Sequence, residues 1–228
     1  MKIILLGGKA NSGKDSSAEY MAEYYRSRGL DVVNIQIAYY IKMYAKEIAK
    51  WDGDNETKPR QLLQDLGTEL IRKQIDEYFF IKRIIQDIDI YSRYFDIITI
   101  SDGRLPEEFA AIKLAYPETV TVHLTRPNFT SRLTKDQKAH VTEALVDEIE
   151  YDYELVNDGT LDDLQLKTIE LIRQIEKETK FERHVVKRPV VKEEKKEEVK
   201  ETKEVAEVKE EKKTTKKTTT RKKAKKEE

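Results

Sequence analysis

An apolar run, Ile3–Leu6, leads directly into the glycine-rich stretch GGKANSGKDSSA, Gly7 to Ala18. Four buried-type residues ending on glycines describe a short strand that turns sharply. Gly8, Gly13 and Lys14 fit the pattern G-x-x-x-x-G-K-[ST], except that Asp15 stands where the hydroxyl belongs and Ser16 follows one place late. Glycines let a backbone wrap closely around phosphate oxygens with its N–H groups turned inward, and a following helix adds the positive end of its dipole. The loop therefore predicts a nucleotide site made by Gly8, Lys9, Ala10, Asn11, Ser12, Gly13, Lys14, Asp15, Ser16 and Ser17, with Lys14 reaching the β- and γ-phosphates. Asp15 and Ser16 are candidate Mg²⁺ ligands, because oxygen donors suit that ion. The plainer role for Asp15 is to favour the helix start by its charge.

Strand and helix patterns alternate along the chain. Strands are expected at 2–7, 31–38, 95–101, 119–125 and 153–157. Helices are expected at 14–28, 39–51, 59–75, 79–92, 105–116 and 161–180, the last opened by a Thr160/Asp163 capping box. That alternation predicts a parallel sheet covered on both faces, with ligands beyond the carboxyl ends of its strands.

Two further segments carry candidate chemistry. SDGR, 101–104, closes the third strand, with Asp102 placed for a second metal contact and Arg104 for phosphates. In KPRQLLQDLGTELIRK, 58–73, Arg60, Gln64, Thr68 and Arg72 recur every four residues as a polar stripe, opposite Leu62, Leu66 and Leu70. Arginines bind phosphate oxygens in bidentate fashion, so the stripe suits a phosphorylated substrate, and Gly67 allows close approach. An ordinary amphipathic helix with a solvated face explains the spacing equally well. The polar stretch 126–142 holds Arg126, Arg132, Lys135, Lys138 and His140 and is expected to form a lid whose arginines neutralise transferring phosphate.

Composition divides the chain. Residues 187–228 hold 17 Lys/Arg and 11 Asp/Glu with few large apolar side chains, a balance that cannot offset the entropy of ordering. The expected organisation is one P-loop domain over 1–182, with a helical region at about 40–93 suited to a phosphorylated acceptor and a lid at about 126–142, and a disordered tail at 183–228. The first 186 residues hold 26 Lys/Arg and 33 Asp/Glu, so an anionic ligand needs a local basic cluster. The absence of cysteine excludes a disulfide framework and thiolate metal sites. The first apolar run is too short for a signal peptide or a membrane span, so a cytoplasmic protein is expected.

Taken together, GKANSGKDSSA, RQLLQDLGTELIR, SDGRLPEE, His140–Glu143 and NDGTLDDL resemble, in that order, the bacteriophage-type deoxynucleoside monophosphate kinases of the P-loop kinase superfamily. The Asp after the lysine is itself a mark of that family and of phosphomevalonate kinases. The resemblance covers residues 1 to about 178. It implies a three-layer α/β P-loop nucleoside-monophosphate-kinase-like fold with a mainly parallel five-stranded sheet and a helical substrate-binding insertion. It also implies transfer of the ATP γ-phosphate, with Mg²⁺, to a (deoxy)nucleoside monophosphate. Lys42 and the 60–72 stripe would face the acceptor, while Asp102 and Arg104 would sit beside metal and phosphates. Two departures stand out. Gly103 replaces a bulky apolar residue and Leu105 an aromatic one, which is expected to loosen the local backbone. The sequence leaves three alternatives open: another small phosphorylated acceptor, a homodimer, and a non-catalytic regulator whose basic tail touches nucleic acid weakly and non-specifically.

Overall fold

A computed structural model describes residues 1–54, 56–127, 129 and 145–179. The elements run β1 (Lys2–Gly7), α1 (Lys14–Ser27), β2 (Val32–Ile35), α2 (Tyr39–Ala49), α3 (Arg60–Gln64, continued by a π-helix at Asp65–Ile75) and α4 (Phe79–Tyr91). There follow β3 (Ile97–Gly103), α5 (Pro106–Ala115), β4 (Val120–Thr125), a 3₁₀ turn (Leu145–Glu148), β5 (Tyr153–Val156) and α6 (Leu161–Glu178). All five strands are parallel, in the order β2-β3-β1-β4-β5.

Every residue of β1 is buried, as its apolar run requires of a central strand covered on both faces. Side chains alternate across the pleat. Ile4 and Leu6 pack with Met21 and Tyr25 of α1 and with Ile172 and Ile175 of α6. Ile3 and Leu5 face the opposite layer, with Phe80, Ile84 and Ile88 of α4 and Phe109 and Ile112 of α5. A smaller cluster of Ala45, Trp51 and Leu66 ties α2 to the π-helix. Thr160 caps α6 by accepting from Asp163 N at 3.2 Å, the box expected from sequence.

Several details depart from the sequence expectation. β2 is shorter than 31–38, and β3 runs two residues past the expected end at Ser101, to Gly103. Opposite Leu5–Gly7, β3 carries one extra residue between Ile100 and Gly103, a bulge at Ser101–Asp102. The expected 59–75 helix is α only over Arg60–Gln64 and continues at Asp65–Ile75 as a π-helix, whose hydrogen bonds run five residues back. Its buried apolar residues are accordingly Leu66 and Ile71, five apart, and Leu70 is 41% exposed instead of sharing the apolar side. Gly103 does not loosen its surroundings. A Cβ there would come within 2.7 Å of Phe109 Cε2 and 3.0 Å of Leu5 Cδ1, so glycine lets the Phe109 ring lie against the strand. The expected tail at 183–228 and nearly all of the 126–142 lid, with Arg132, Lys135, Lys138 and His140, lie outside the described residues, as does Glu143.

Candidate active site

Beyond the carboxyl ends of β1, β3 and β5 lies a cavity of about 680 Å³. It forms where β1 sits between β3 and β4, the place at which chain connections diverge to either side. The glycine loop closes one end. Gly8 takes φ +142°, and a Cβ there would stand 2.2 Å from the Leu124 carbonyl oxygen of β4. Gly13 takes φ +111° at the start of α1, beside the amide of Asn157. No side chain caps α1, so its first N–H groups remain available at the cavity wall. Asn157 donates to Ser12 O at 2.9 Å and fastens the loop to the end of β5.

Lys14 is 6% exposed and folds back over the loop. Its ammonium donates to Gly8 O and Lys9 O, both at 2.7 Å. Burial, helped by the nearby Arg104 charge, pushes its pKa down to about 7 against the opposing pull of Asp15 and Asp102. Ala10, Asn11, Gly13, Asp15 and Ser16 line the cavity with it. The other residues expected to hold the nucleotide do not. Gly8 and Ser12 are buried beneath the loop, and Lys9 points outward to an ion pair with Asp147. Ser17 is fully buried on the core side of α1.

Asp15 accepts from Ser101 Oγ at 2.8 Å, and Ser101 in turn accepts from Asn34 Nδ2 at 3.2 Å. Thr99 completes the chain by donating to Asn34 Oδ1 at 3.1 Å. The bulge in β3 lets both Ser101 and Asp102 reach the cavity, whereas in a regular strand neighbours face opposite sides. Asp102 does not stand free there. Its two oxygens accept from Ile37 N at 2.8 Å and Ala38 N at 3.0 Å, so it caps the start of α2, which has no side-chain cap of its own. Arg104 follows on the same edge, its pKa lowered by burial in spite of Asp102 and Glu108.

The opposite end of the cavity carries the polar stripe. Arg60, Gln64, Gly67, Thr68 and Arg72 all line it, with Lys42 across from them on α2. Lys42 donates to Gln36 Oε1. Arg72 pairs with Glu108 at 2.8 Å and lies 5.1 Å from the centre of the Phe80 ring. Glu108 is 3% exposed and accepts from Arg104 N and Leu105 N as well. Burial pushes its carboxyl up to about 7 against the pull of Arg72 and the two amides. Arg126, beyond β4, lines the cavity near the glycine loop, with Nη1 3.4 Å from Asn11 O.

Sequence reasoning missed Lys58, Ser101, Glu108 and Asn157. Ser101 carried a usable signal, a small hydroxyl on a buried strand beside a chosen aspartate. Lys58 carried none, because it falls outside the four-residue spacing.

The matching family model is that of deoxynucleotide monophosphate kinase, and it spans residues 29–169. The chain belongs to the deoxynucleotide monophosphate kinase family. It is 30% identical over 112 residues to the deoxynucleotide monophosphate kinase of Enterobacteria phage T4, a match covering 49% of this chain and 44% of that protein. The chain thus aligns with less than half the length of this relative. Among solved structures it is similar to the APS kinase of Mycobacterium tuberculosis in complex with AMPPNP and APS, at 14% identity and a TM-score of 0.46, covering 75% and 97% of the two chains. It is also similar to shikimate kinase from Aquifex aeolicus, at 15% identity and a TM-score of 0.43, covering 75% and 96%. The parallel five-stranded sheet between helical layers, with its glycine loop after β1, is the P-loop kinase architecture. Among the described residues no helix is long and apolar enough to cross a membrane.

Proposed function

We propose that the protein transfers the γ-phosphate of ATP to a deoxynucleoside monophosphate, giving the diphosphate. The observation that carries this reading is one continuous cavity with a phosphate-type loop at one end and the Arg60–Arg72 stripe at the other. In this reading the loop from Ala10 to Ser16 holds the ATP phosphates. Lys14 exchanges its two loop carbonyls for phosphate oxygens. Arg104 and Arg126 flank the path between donor and acceptor, where fixed cations disperse the charge of the transferring group. Alignment of the two phosphates supplies the remaining rate enhancement, and no covalent enzyme intermediate is needed.

The residues fit Mg²⁺. Asp15, Ser16 and Asp102 put oxygen donors on the cavity lining, the ligand type that ion takes together with substrate phosphates. Asp15, with one oxygen anchored on Ser101 and the carboxylate at the cavity wall, would hold it, with Ser16 adjacent. Asp102, engaged by two backbone amides, would add its charge while holding α2. Held there, the ion would supply positive charge that offsets the phosphate charge.

The test is a panel of acceptors supplied with ATP and followed by coupled ADP release. It includes the deoxynucleoside monophosphates, their ribose counterparts and phosphomevalonate. Turnover on at least one deoxynucleoside monophosphate, abolished in a folded Lys14→Ala variant, is expected. Turnover on phosphomevalonate alone would move the acceptor class, and ATP binding without any transfer would favour a regulator.

A further inference from the structure

Lys58 belongs to none of the roles assigned above. It sits at the end of the connector between α2 and α3, and that connector is well fastened. Trp51 is 9% exposed, packs with Ala45 and Leu66, and donates from its indole nitrogen to Asp54 O at 2.9 Å. Asp52 accepts from Asp54 N at 2.9 Å and from Thr57 Oγ1 at 3.0 Å, and Asp54 accepts from Glu56 N at 2.7 Å. Arg60 N donates to Lys58 O at 2.8 Å, fixing the backbone where α3 begins. The Lys58 side chain lines the cavity from the end of this connector.

Its surroundings lack the partner a half-buried ammonium needs. Among the described residues neither Lys58 nor the Arg60 guanidinium makes a side-chain hydrogen bond or ion pair, and Lys42 has only the neutral Gln36 amide. Arg72, by contrast, has Glu108. The charges acting most strongly on Lys58 are Lys42 and Arg60, ahead of Arg104, with Asp15 the weakest. A fold that brings three cations around one end of a cavity without a paired carboxylate is electrostatically incomplete until an anion arrives. One carboxylate would leave the cluster strongly positive. A phosphate monoester brings two charges and three acceptor oxygens.

We propose that Lys58 binds the phosphate of the acceptor nucleotide and, with Lys42 and Arg60, forms a subsite for a phosphate monoester dianion. This rests on the acceptor reading given above and adds to it a residue that sets preference for phosphorylated over neutral acceptors.

The experiment is calorimetric titration of the full chain and of its Lys58→Met and Lys58→Arg variants with ATP and, separately, with each of the four DNA deoxynucleoside 5′-monophosphates. Removing one charge-assisted contact to phosphate is expected to weaken the best-bound monophosphate by on the order of 10- to 100-fold. Lys58→Arg should restore most of that loss, and ATP affinity should be the same in all three proteins. If Lys58→Met melts below the assay temperature, Lys58→Gln takes its place. Monophosphate binding that Lys58→Met leaves at the wild-type value overturns the inference, as does an equal loss for ATP and monophosphate. A wild-type protein that binds ATP but none of the four monophosphates overturns the acceptor reading itself, and this inference with it.

Discussion

Replacing Glu108 by alanine should damage both the fold and the acceptor end of the cavity. The carboxylate accepts three hydrogen bonds, from Arg72 Nη2 at 2.8 Å, Arg104 N at 3.0 Å and Leu105 N at 3.1 Å. With Glu108 gone, the Arg72 guanidinium, 17% exposed, is left without its carboxylate, a loss of about 3–5 kcal/mol for a buried pair. Each stranded amide adds about 1–3 kcal/mol. Water from the adjoining cavity reaches part of this cluster, so the lower ends apply and the total is about 5 kcal/mol. That is a large share of the stability of an ordinary domain, about 5–15 kcal/mol. Glu108→Gln keeps an oxygen for the two amides but turns an amide nitrogen towards the Arg72 donors, and should lose only about 1–3 kcal/mol. Urea unfolding at fixed pH measures both. A cycle with Arg72→Met isolates the pair, with an expected coupling of about 1.5–3 kcal/mol. Because Arg72 lines the cavity, Glu108→Gln should also raise the KM for the acceptor while leaving that for ATP unchanged. Glu108→Ala losing less than about 1 kcal/mol, or a coupling energy of zero, would refute the reasoning.

Three further outcomes are expected. Gly8→Ala places a Cβ 2.2 Å from Leu124 O at φ +142°, so backbone strain and overpacking, about 1–3 kcal/mol each, should lower the melting temperature clearly; an unshifted melt would contradict the loop geometry. Ser101→Ala removes the donor that holds Asp15 and should raise the Mg²⁺ concentration for half-maximal transfer about tenfold, the usual scale for a group that orients a metal ligand, with metal-free ATP binding unchanged; an unaltered Mg²⁺ requirement would remove Asp15 from the metal. Burial, Lys42, Arg60 and Arg104 lower Lys58 to about 8, with only Asp15 opposing, so the ammonium is present below pH 8 and is lost as pH rises through it. Acceptor affinity should therefore fall above pH 8 in the wild type and stay level there in Lys58→Arg, as read by titration across pH 6–10; a level wild-type profile would show that Lys58 does not act as a charge.

Much of the fold was legible because its signals are local. The apolar runs marked all five strands, the glycine loop marked the turn after β1, and Thr160 with Asp163 marked the start of α6. The stripe residues are also found together along one wall, as their spacing suggested. What escaped was set by tertiary geometry. Glu108 looks like any acidic residue in the first turn of a helix, and only the tertiary fold, which brings that turn to Arg72 from 36 residues away in the chain, makes it the partner of that arginine. Lys58 owes its place to a connector held by Trp51 and two aspartates, which no periodicity records. The sequence points to Asp102 as a metal contact, but its two backbone donors come from the β2–α2 junction, 65 and 64 residues away in the chain, and no local pattern records them.

The two places where regular geometry fails are the two that furnish the cavity. In an ideal α-helix, twelve residues advance three turns and roughly 120°, so Arg72 would roll well away from Arg60. A π-helix holds more residues per turn, which draws residues four apart back into line and keeps Thr68 and Arg72 on the cavity wall. Leu70 is turned outward by the same change. On β3, a regular pleat would send Ser101 and Asp102 to opposite faces, and one would lose contact with the site. The extra residue there brings Ser101 to Asp15 and Asp102 to α2 at once. Local irregularities of this kind persist when the surrounding structure over-determines them, and they gather where function needs side chains that a regular element cannot aim. Deleting the bulge residue should therefore leave a folded sheet whose Asp15 has lost its anchor. Retuning the π-helix to a regular α-helix should separate Arg60 from Arg72 without touching the glycine loop.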